Sequence, residues 1–228
     1  MYDDELQEIR DLQLFRNMAT PSFDSLMQAA YSQDFPAELQ LVRQGARANF
    51  LHVLVSGRVE LFAEWSGQQT TMAIVEPVTS FILAACLRDA PHLMSARTLQ
   101  PCKMVLIPAA DVRAAFRRDT DFAVDAAGEL AESYRSMVRH TKSLKLRNAR
   151  ERLAAFLLRQ SEAHGGSPGF RLPHEKRLVA SYLGMTPESL SRAFRSLNEY
   201  GIYNKGVYVT ITDVEKLRAL ASPDSLIE

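Results

Sequence analysis

Along the stretch LHVLVSGRVELFAEW, Leu51, Val53 and Val55 share one side of an extended chain, and past a break at Gly57 the alternation resumes with Val59 and Leu61. A two-residue period predicts a strand with one buried face. Ser66-Gly67 predicts a turn, TTMAIVEP another strand and CKMVLIP a further one. Short strands at roughly ten-residue spacing with glycine turns predict an antiparallel β-sandwich or roll from Phe35 to Pro108. Ahead of it, residues 5–31 predict one or two short helices with Leu6, Ile9, Leu12, Leu26 and Met27 as apolar contacts. Thr20-Pro21 followed by Asp24 marks the second helix start, with Pro at the first helical position.

After Pro108 the period changes. Asp111 opens a helical pattern, and from about 121 to 147 Ala123, Ala127, Leu130, Tyr134, Met137, Thr141 and Leu144 recur at alternating intervals of four and three. That is the spacing of a helix seam. Such a helix would be about 40 Å long at ~1.5 Å per residue. This exceeds what a small domain needs for its own core, so a two-helix dimer interface is favoured over a helix lying on its own roll. Thr141 and the alanines make the seam a weak one. ARERLAAFLLRQSEA (149–163) predicts a second amphipathic helix and HGGSPGF (164–170) a loop. The reading is α+β: an effector or sensor β-roll with flanking helices over 1–118, a dimerisation helix over 119–147 and a compact module over 148–228.

Composition narrows the class. Of 228 residues, 46% are apolar and 24% charged, with ten Gly and ten Pro. These values exclude a disordered, collagen-like or low-complexity chain. The start, MYDDELQEIRDLQLF, is acidic where a secretory signal needs positive charge, and no stretch approaches the roughly 20 apolar residues of a membrane span. Cys86 and Cys102 alone fit neither a disulfide framework nor a C-x-x-C metal motif. A cytoplasmic protein without a membrane partner or metal site is expected, with both cysteines as buried small hydrophobes.

The charge total hides a division. Overall 27 Lys+Arg balance 27 Asp+Glu, but residues 135–218 hold 16 against 7 and the remainder 11 against 20. The basic part has the field that a phosphate backbone attracts, so neutrality excludes nothing about DNA. Arg139, Lys142, Lys145, Arg147, Arg150 and Arg152 lie on the helices leading into it. The acidic part predicts weaker non-specific binding than a uniformly basic protein shows.

The C-terminal module carries the clearest chemistry. Residues 174–183 predict a helix with Leu178, Val179, Tyr182 and Leu183 inward, and Gly184 supplies a tight turn. Thr186 caps a new helix with Pro187 at its first position. That helix runs to about Tyr200, burying Leu190, Phe194 and Leu197, and Gly201 ends it. Two helices joined by a short Gly-containing turn form a helix-turn-helix. Ile202-Tyr203, the turn Asn204-Lys205-Gly206, and Val207, Val209 and Ile211 add a β-hairpin wing. Glu188, Ser191, Arg192 and Arg195 fall mainly opposite the apolar side, where a recognition helix meets the major groove. Arg can bind guanine O6 and N7 together, Glu can accept from cytosine N4, and Ser can bond either way. The competing reading, a solvated face with an i,i+4 Glu188–Arg192 pair, is the weaker one inside a winged helix-turn-helix. Thr186, Ser189 and Lys205 complete the candidate DNA-binding set.

RQG followed by FLHVLVSGRVELF, then LRNARERLAAFLL and LVASYLGMTPESLSRAFRSL, together resemble the CRP/FNR family of bacterial transcription regulators over nearly the whole chain. The resemblance implies a cyclic-nucleotide-binding-like jelly roll, a long dimerisation helix and a winged helix-turn-helix. It implies a homodimeric regulator, an activator in expectation, that binds double-stranded DNA and meets RNA polymerase. Glu188, Ser191 and Arg192 reproduce the E-x-x-S-R pattern of the FNR-type branch, which implies TTGAT-like half-sites in an inverted repeat. The half-sites would lie one helical turn apart, ~34 Å.

Against the family's cyclic-nucleotide cassette, FILAACLRDAPHLMSART places Leu83-Ala84 where a Gly-Glu pair stands and Met94 where the phosphate-binding Arg stands, just before Ser95. A phosphate beside Met has no charge partner. Arg88 and Arg97 are out of register. Cyclic nucleotide is therefore not the expected effector, and two cysteines cannot supply the four thiolates of an iron–sulfur cluster. Two subgroups remain: the nitric-oxide-responsive denitrification regulators (the DNR/NNR group), which imply haem, and the FixK-type regulators, which imply no small-molecule effector. Leu83, Ala84, Met94 and Ser95 are candidate effector-pocket residues, with filled core as the alternative. His52 and His92 are the candidate haem ligands, with Met72 and Met94 as softer ones. No G-x-S-x-G, P-loop, H-E-x-x-H or Rossmann fingerprint appears, so an enzyme is not expected. A ligand-gated interaction module without DNA binding is the remaining alternative, and the reader helix and wing argue against it.

Overall fold

The computed structural model describes residues 3–224 and 226–227. The chain is α+β, with an antiparallel roll, a long helix and a C-terminal helix-turn-helix. It forms two compact units that part between Ser133 and Tyr134, inside the long helix.

The first unit opens with α1 (Asp3–Arg10), α2 (Thr20–Gln28), β1 (Tyr31–Phe35), β2 (Gln40–Val42), β3 (Phe50–Ser56) and β4 (Val59–Trp65). It continues with β5 (Gln68–Val75), β6 (Thr79–Phe81), α3 (Leu83–Arg88), β7 (Ser95–Thr98), β8 (Cys102–Pro108), α4 (Ala109–Arg118) and the first half of α5 (Thr120–Leu146). Two antiparallel four-stranded sheets, β1-β8-β3-β6 and β2-β7-β4-β5, make the roll. The alternation in β3 sorts its side chains. Leu51 and Val53 join a core with Ile9, Phe15, Phe23 and Phe122 from the helices, whereas Leu54 packs with Val59, Leu61 and Met104 in a core shared by both sheets. Gly57 stands at φ +97, and a Cβ there would lie 2.5 Å from Cys102 Sγ, so only glycine fits this turn. Phe122 and Ala126 are fully buried and hold the start of α5 to the roll, with Phe122 stacked on Phe15 at 5.8 Å.

Two stretches depart from the sequence pattern. The helical N-terminal region ends at Gln28, and the sheet starts at Tyr31 rather than Phe35. β1 is mostly exposed and so has no apolar period to read. Residues 79–98 fold as β6, α3 and β7, elements too short for a period to register.

The second unit holds the end of α5, α6 (Ala149–Ala163), β9 (Gly169–Arg171), α7 (Lys176–Tyr182), α8 (Pro187–Ser196), β10 (Ile202–Lys205), β11 (Tyr208–Ile211) and α9 (Val214–Ala221). Asn148 caps α6 in a capping box: its side chain accepts from Arg150 and Glu151 N–H, and its own N–H donates to Glu151 Oε2 at 2.8 Å. The expected amphipathic character of α6 is corrected. Every residue from Leu153 to Leu158 is buried, because α8, α9 and β9 pack around the helix. Part of the expected 164–170 loop is strand, since Gly169 and Phe170 belong to β9, which completes the sheet β10-β11-β9. The wing turns at Gly206-Val207, not at Asn204-Lys205-Gly206, because Lys205 already pairs with Tyr208. α8 ends at Ser196, and a 3-10 turn over Asn198–Tyr200 finishes the predicted helical stretch. Among the described residues no helix is long and apolar enough to cross a membrane.

Candidate nucleic-acid interface

α7 and α8 are joined by a turn whose geometry follows from three residues. Gly184 takes φ +64, a conformation other residues adopt only with strain. Thr186 is extended and its Oγ1 accepts the Ser189 N–H at 3.2 Å, satisfying one of the free donors at the start of α8. Pro187 follows with its φ already fixed for the helix. α8 then buries Leu190, Ala193 and Phe194, and Leu197 just past its end is fully buried. Thr186, Glu188, Ser191, Arg192 and Arg195 stay exposed on the other side, and Ser189 is half-buried.

These side chains are pre-arranged. Arg192 Nη2 donates to Ser189 Oγ at 3.0 Å, and the Ser189 and Thr186 hydroxyl oxygens lie 3.2 Å apart. Ser191 Oγ donates back to the Pro187 carbonyl at 2.9 Å, which leaves the oxygen able to accept. The Glu188 carboxyl is held below the usual carboxylate range by its own backbone N–H and by the Thr186 hydroxyl, with the Arg192 charge adding less. The i,i+4 coupling weighed from sequence is thus the minor influence on Glu188. At neutral pH the surface presents one anion and two guanidiniums, a set of acceptors and forked donors matched to base edges. Lys205 is exposed at the end of β10, beside the wing turn.

On α5, Tyr134, Met137 and Leu144 are 71%, 44% and 38% exposed. Thr141 is also exposed, whereas Leu130 is partly buried against the helical core of the first unit.

In the roll, the four candidate effector residues are not brought together. Leu83 is buried in the core beneath the helices, while Met94 packs against the core between the sheets. Ala84 is exposed, and Ser95 is fully buried with its Oγ accepting the Gln44 N–H at 3.0 Å. Arg97, which sequence register left without a role, is engaged: its Nε and Nη2 lie 2.7 and 2.6 Å from Glu60 Oε2, and its guanidinium sits over Phe62. Thr71 donates to the other Glu60 oxygen at 2.6 Å. Cys86 donates to the Phe50 carbonyl at 3.0 Å, and burial pushes its thiol up to about 12; burial raises Cys102 as well. Both cysteines are buried and free, and neither is a thiolate at neutral pH.

His52 and His92 are both buried, each with an Nδ1 that makes no hydrogen bond. His52 lies in β3 between Leu106 and Phe81 on the neighbouring strands, stacked on the Phe81 ring at 5.1 Å. Burial, and next the nearby His92, bring its pKa down to about 4; burial lowers His92 too. The sequence names His52 and His92 as candidate haem ligands, but no local signal marks the orphaned Nδ1 atoms. Among the described residues no group of three or more His, Cys, Asp or Glu is placed to hold a metal ion.

Comparison with known proteins agrees with this architecture. Residues 32–119 match the cyclic nucleotide-binding domain family, and residues 151–220 match the Crp-like helix-turn-helix domain family. The cyclic AMP receptor protein of Thermus thermophilus is 26% identical over 194 residues, covering 85% of this chain and 88% of the relative. The fumarate and nitrate reduction regulatory protein of Salmonella typhimurium is 41% identical over 83 residues, 34% of this chain and 33% of that protein. The solved structure of FixK2 from Bradyrhizobium japonicum superposes with a TM-score of 0.73 at 21% identity, over 86% of this chain and 99% of that one.

Proposed function

Given that the chain belongs to the CRP/FNR family of DNA-binding transcription regulators, a family of regulators rather than enzymes, we propose that it is a homodimer whose two α8 helices read a TTGAT-like inverted repeat. The observation that carries this is the outer face of α8: Glu188, Ser191, Arg192 and Arg195 exposed together on a helix capped by Thr186 and anchored by Leu190 and Phe194. The exposed Tyr134, Met137, Thr141 and Leu144 supply the seam between two copies. Activation through contact with RNA polymerase belongs to the same proposal. The test is a gel shift of an inverted-repeat duplex against a scrambled one at two salt concentrations. Specific binding with a steep salt slope supports the reading; equal affinity for both duplexes refutes it.

For the signal, cyclic nucleotide is not proposed. Met94 stands where the family's phosphate-binding Arg is expected, and Arg97 is already paired with Glu60. An iron–sulfur cluster is not proposed either, for want of thiolates. Two readings divide the rest. The orphaned buried Nδ1 atoms of His52 and His92 favour a group that takes an imidazole, and buried polar atoms without partners cost free energy unless something binds them. Haem is such a group: His52 or His92 would hold its iron, and the bound iron would supply a site for nitric oxide, with response in denitrification or anaerobic metabolism as the function that would go with it. The burial of Leu83 and Cys86 in filled core favours instead a regulator without a small-molecule effector. Protein from cells supplied with haem precursor decides between them. A Soret band lost in His52→Ala or His92→Ala supports haem; a featureless spectrum supports the effector-free reading.

A further inference from the structure

Between α5 and α6 only Arg147 and Asn148 are non-helical. Asn148 is taken up by the α6 capping box. Arg147 does something its sequence context does not suggest. Its side chain is buried, and its Nη2 donates to both the Ala221 and Ser222 carbonyls at 3.0 Å. Those carbonyls end α9, where the last C=O groups of a helix lack intrahelical partners and carry the negative end of its dipole. α9 in turn packs along α6, with Leu217 and Ala221 fully buried.

The same corner is braced from the other side. Arg152 donates to the Arg147 carbonyl, and its Nε donates to Leu183 O, next to the Gly184 turn, at 2.8 Å. His140 on α5 lies 4.9 Å from the Tyr182 ring of α7, and a Cβ on Gly184 would fall 2.9 Å from a Leu144 methyl. The last turns of α5 are therefore tied to three parts of the reader unit: α7, the turn before α8, and α9.

We propose that Arg147 is a positioning residue: by clamping the α5–α6 corner to the end of α9, it fixes the direction in which α5 leaves the reader unit and so sets the spacing between the two copies of α8 in a dimer. This rests on the dimer and inverted-repeat reading above. The lever is long. The part of α5 from Tyr134 to Leu146 is about 20 Å at ~1.5 Å per residue, so a swing of about 10° at the corner moves its far end by about 3 Å. One step along DNA is ~3.4 Å. A loose corner thus blurs the register by a base pair.

The experiment measures fluorescence anisotropy of the full chain and of Arg147→Met on duplexes bearing one TTGAT half-site, and on inverted repeats whose spacer changes one base pair at a time. Wild type has one preferred spacer. Arg147→Met keeps its half-site affinity within about twofold and loses about tenfold or more on the preferred spacer, the scale of a lost charge-assisted hydrogen bond, so its profile flattens. Arg147→Gln, too short to reach both carbonyls, flattens it partly and decides the matter should Arg147→Met not fold. A variant with the wild-type spacer profile overturns the proposal, as does a loss equal on half-site and repeat, which marks a purely structural role. A wild type with no preferred spacer overturns the dimer reading itself, along with this one.

Discussion

Replacing Arg192 by Ala separates base reading from general attraction to DNA. Arg192 is exposed, and its hydrogen bond in the free protein runs to the Ser189 hydroxyl on the same helix face. Ala is the better helix former, and an exposed substitution of this kind changes stability by less than ~0.5 kcal/mol. The fold should therefore survive unaltered, and any change in binding belongs to the interface. A bidentate Arg–guanine pair discriminates by ~1–3 kcal/mol. In the proposed dimer two readers contact one repeat, so it should lose ~2–6 kcal/mol of preference for its site over scrambled DNA, at least ~30-fold at 1.4 kcal/mol per decade. Competition titrations of labelled repeat against unlabelled scrambled duplex read that ratio directly. Lys205→Ala is the contrast. If its exposed ammonium meets phosphate from the wing, as the proposed interface has it, its loss should weaken both duplexes alike and reduce the salt slope by ~0.9 per reader. An Arg192→Ala protein that loses equal affinity on both duplexes, with the site-to-scrambled ratio unchanged, would falsify the assignment of Arg192 as a base reader.

Three further outcomes are expected. Gly184→Ala puts a side chain at φ +64 and 2.9 Å from Leu144 Cδ2, which should cost about 1–3 kcal/mol in denaturant unfolding; an unchanged midpoint contradicts the tight turn. His52 is buried neutral with a pKa of about 4 against an ordinary 6.5. The unfolded chain therefore binds its proton first, and stability should be fully present above pH 6.5 and fall as pH drops toward 4, by up to about 3 kcal/mol. His52→Leu should flatten that part of the curve, and a wild-type-like slope in the variant argues against the assignment. Tyr134→Glu with Met137→Glu places like charges on the exposed stripe of α5 and should convert the dimer to monomer in sedimentation, with half-site binding retained; a stable dimer refutes the seam.

The reader was legible because its signals are local. Gly184, Thr186-Pro187 and the spacing of Leu190, Phe194 and Leu197 are turn, cap and core chemistry within about one helix length, and the structure uses each in the expected way. β3, β4 and β8 were legible because they are buried on at least one face. β1 and β2 were not, since exposure or brevity removes the period. α6 kept its boundaries, its start set by the Asn148–Glu151 box, but the burial of its whole middle, Leu153 to Leu158, was hidden by Arg150, Glu151 and Arg152 at its start. In the sequence Arg147 is one of a run of basic residues on the helices leading into the C-terminal module. Its acceptors lie more than 70 residues away in sequence, and nothing local announces such a bond. The His52 environment is likewise made by strands distant in sequence, with Phe81 on β6 and Leu106 on β8.

Met94 before Ser95 and the engaged Arg97 bear on the effector proposal from two sides. A roll that held a phosphate would keep a guanidinium uncommitted beside the β6–β7 segment. Here Arg97 of β7 is committed: two of its nitrogens lie on Glu60, an acidic side chain only 3% exposed, whose other oxygen takes the Thr71 hydroxyl. To recruit Arg97, a phosphate would have to leave the Glu60 carboxylate buried without its cation, and uncompensated buried charge is strongly destabilising. The position before Ser95 offers Met94 instead, with no charge at all. Glu60→Gln then makes a sharp test of the two facts together. It frees Arg97 without emptying the site, so isothermal titration with cyclic AMP should show no binding to wild type and at most weak, millimolar binding to the variant. Micromolar binding to wild type would mean that Arg97 exchanges partners readily, and the argument against a cyclic-nucleotide effector would fall with it.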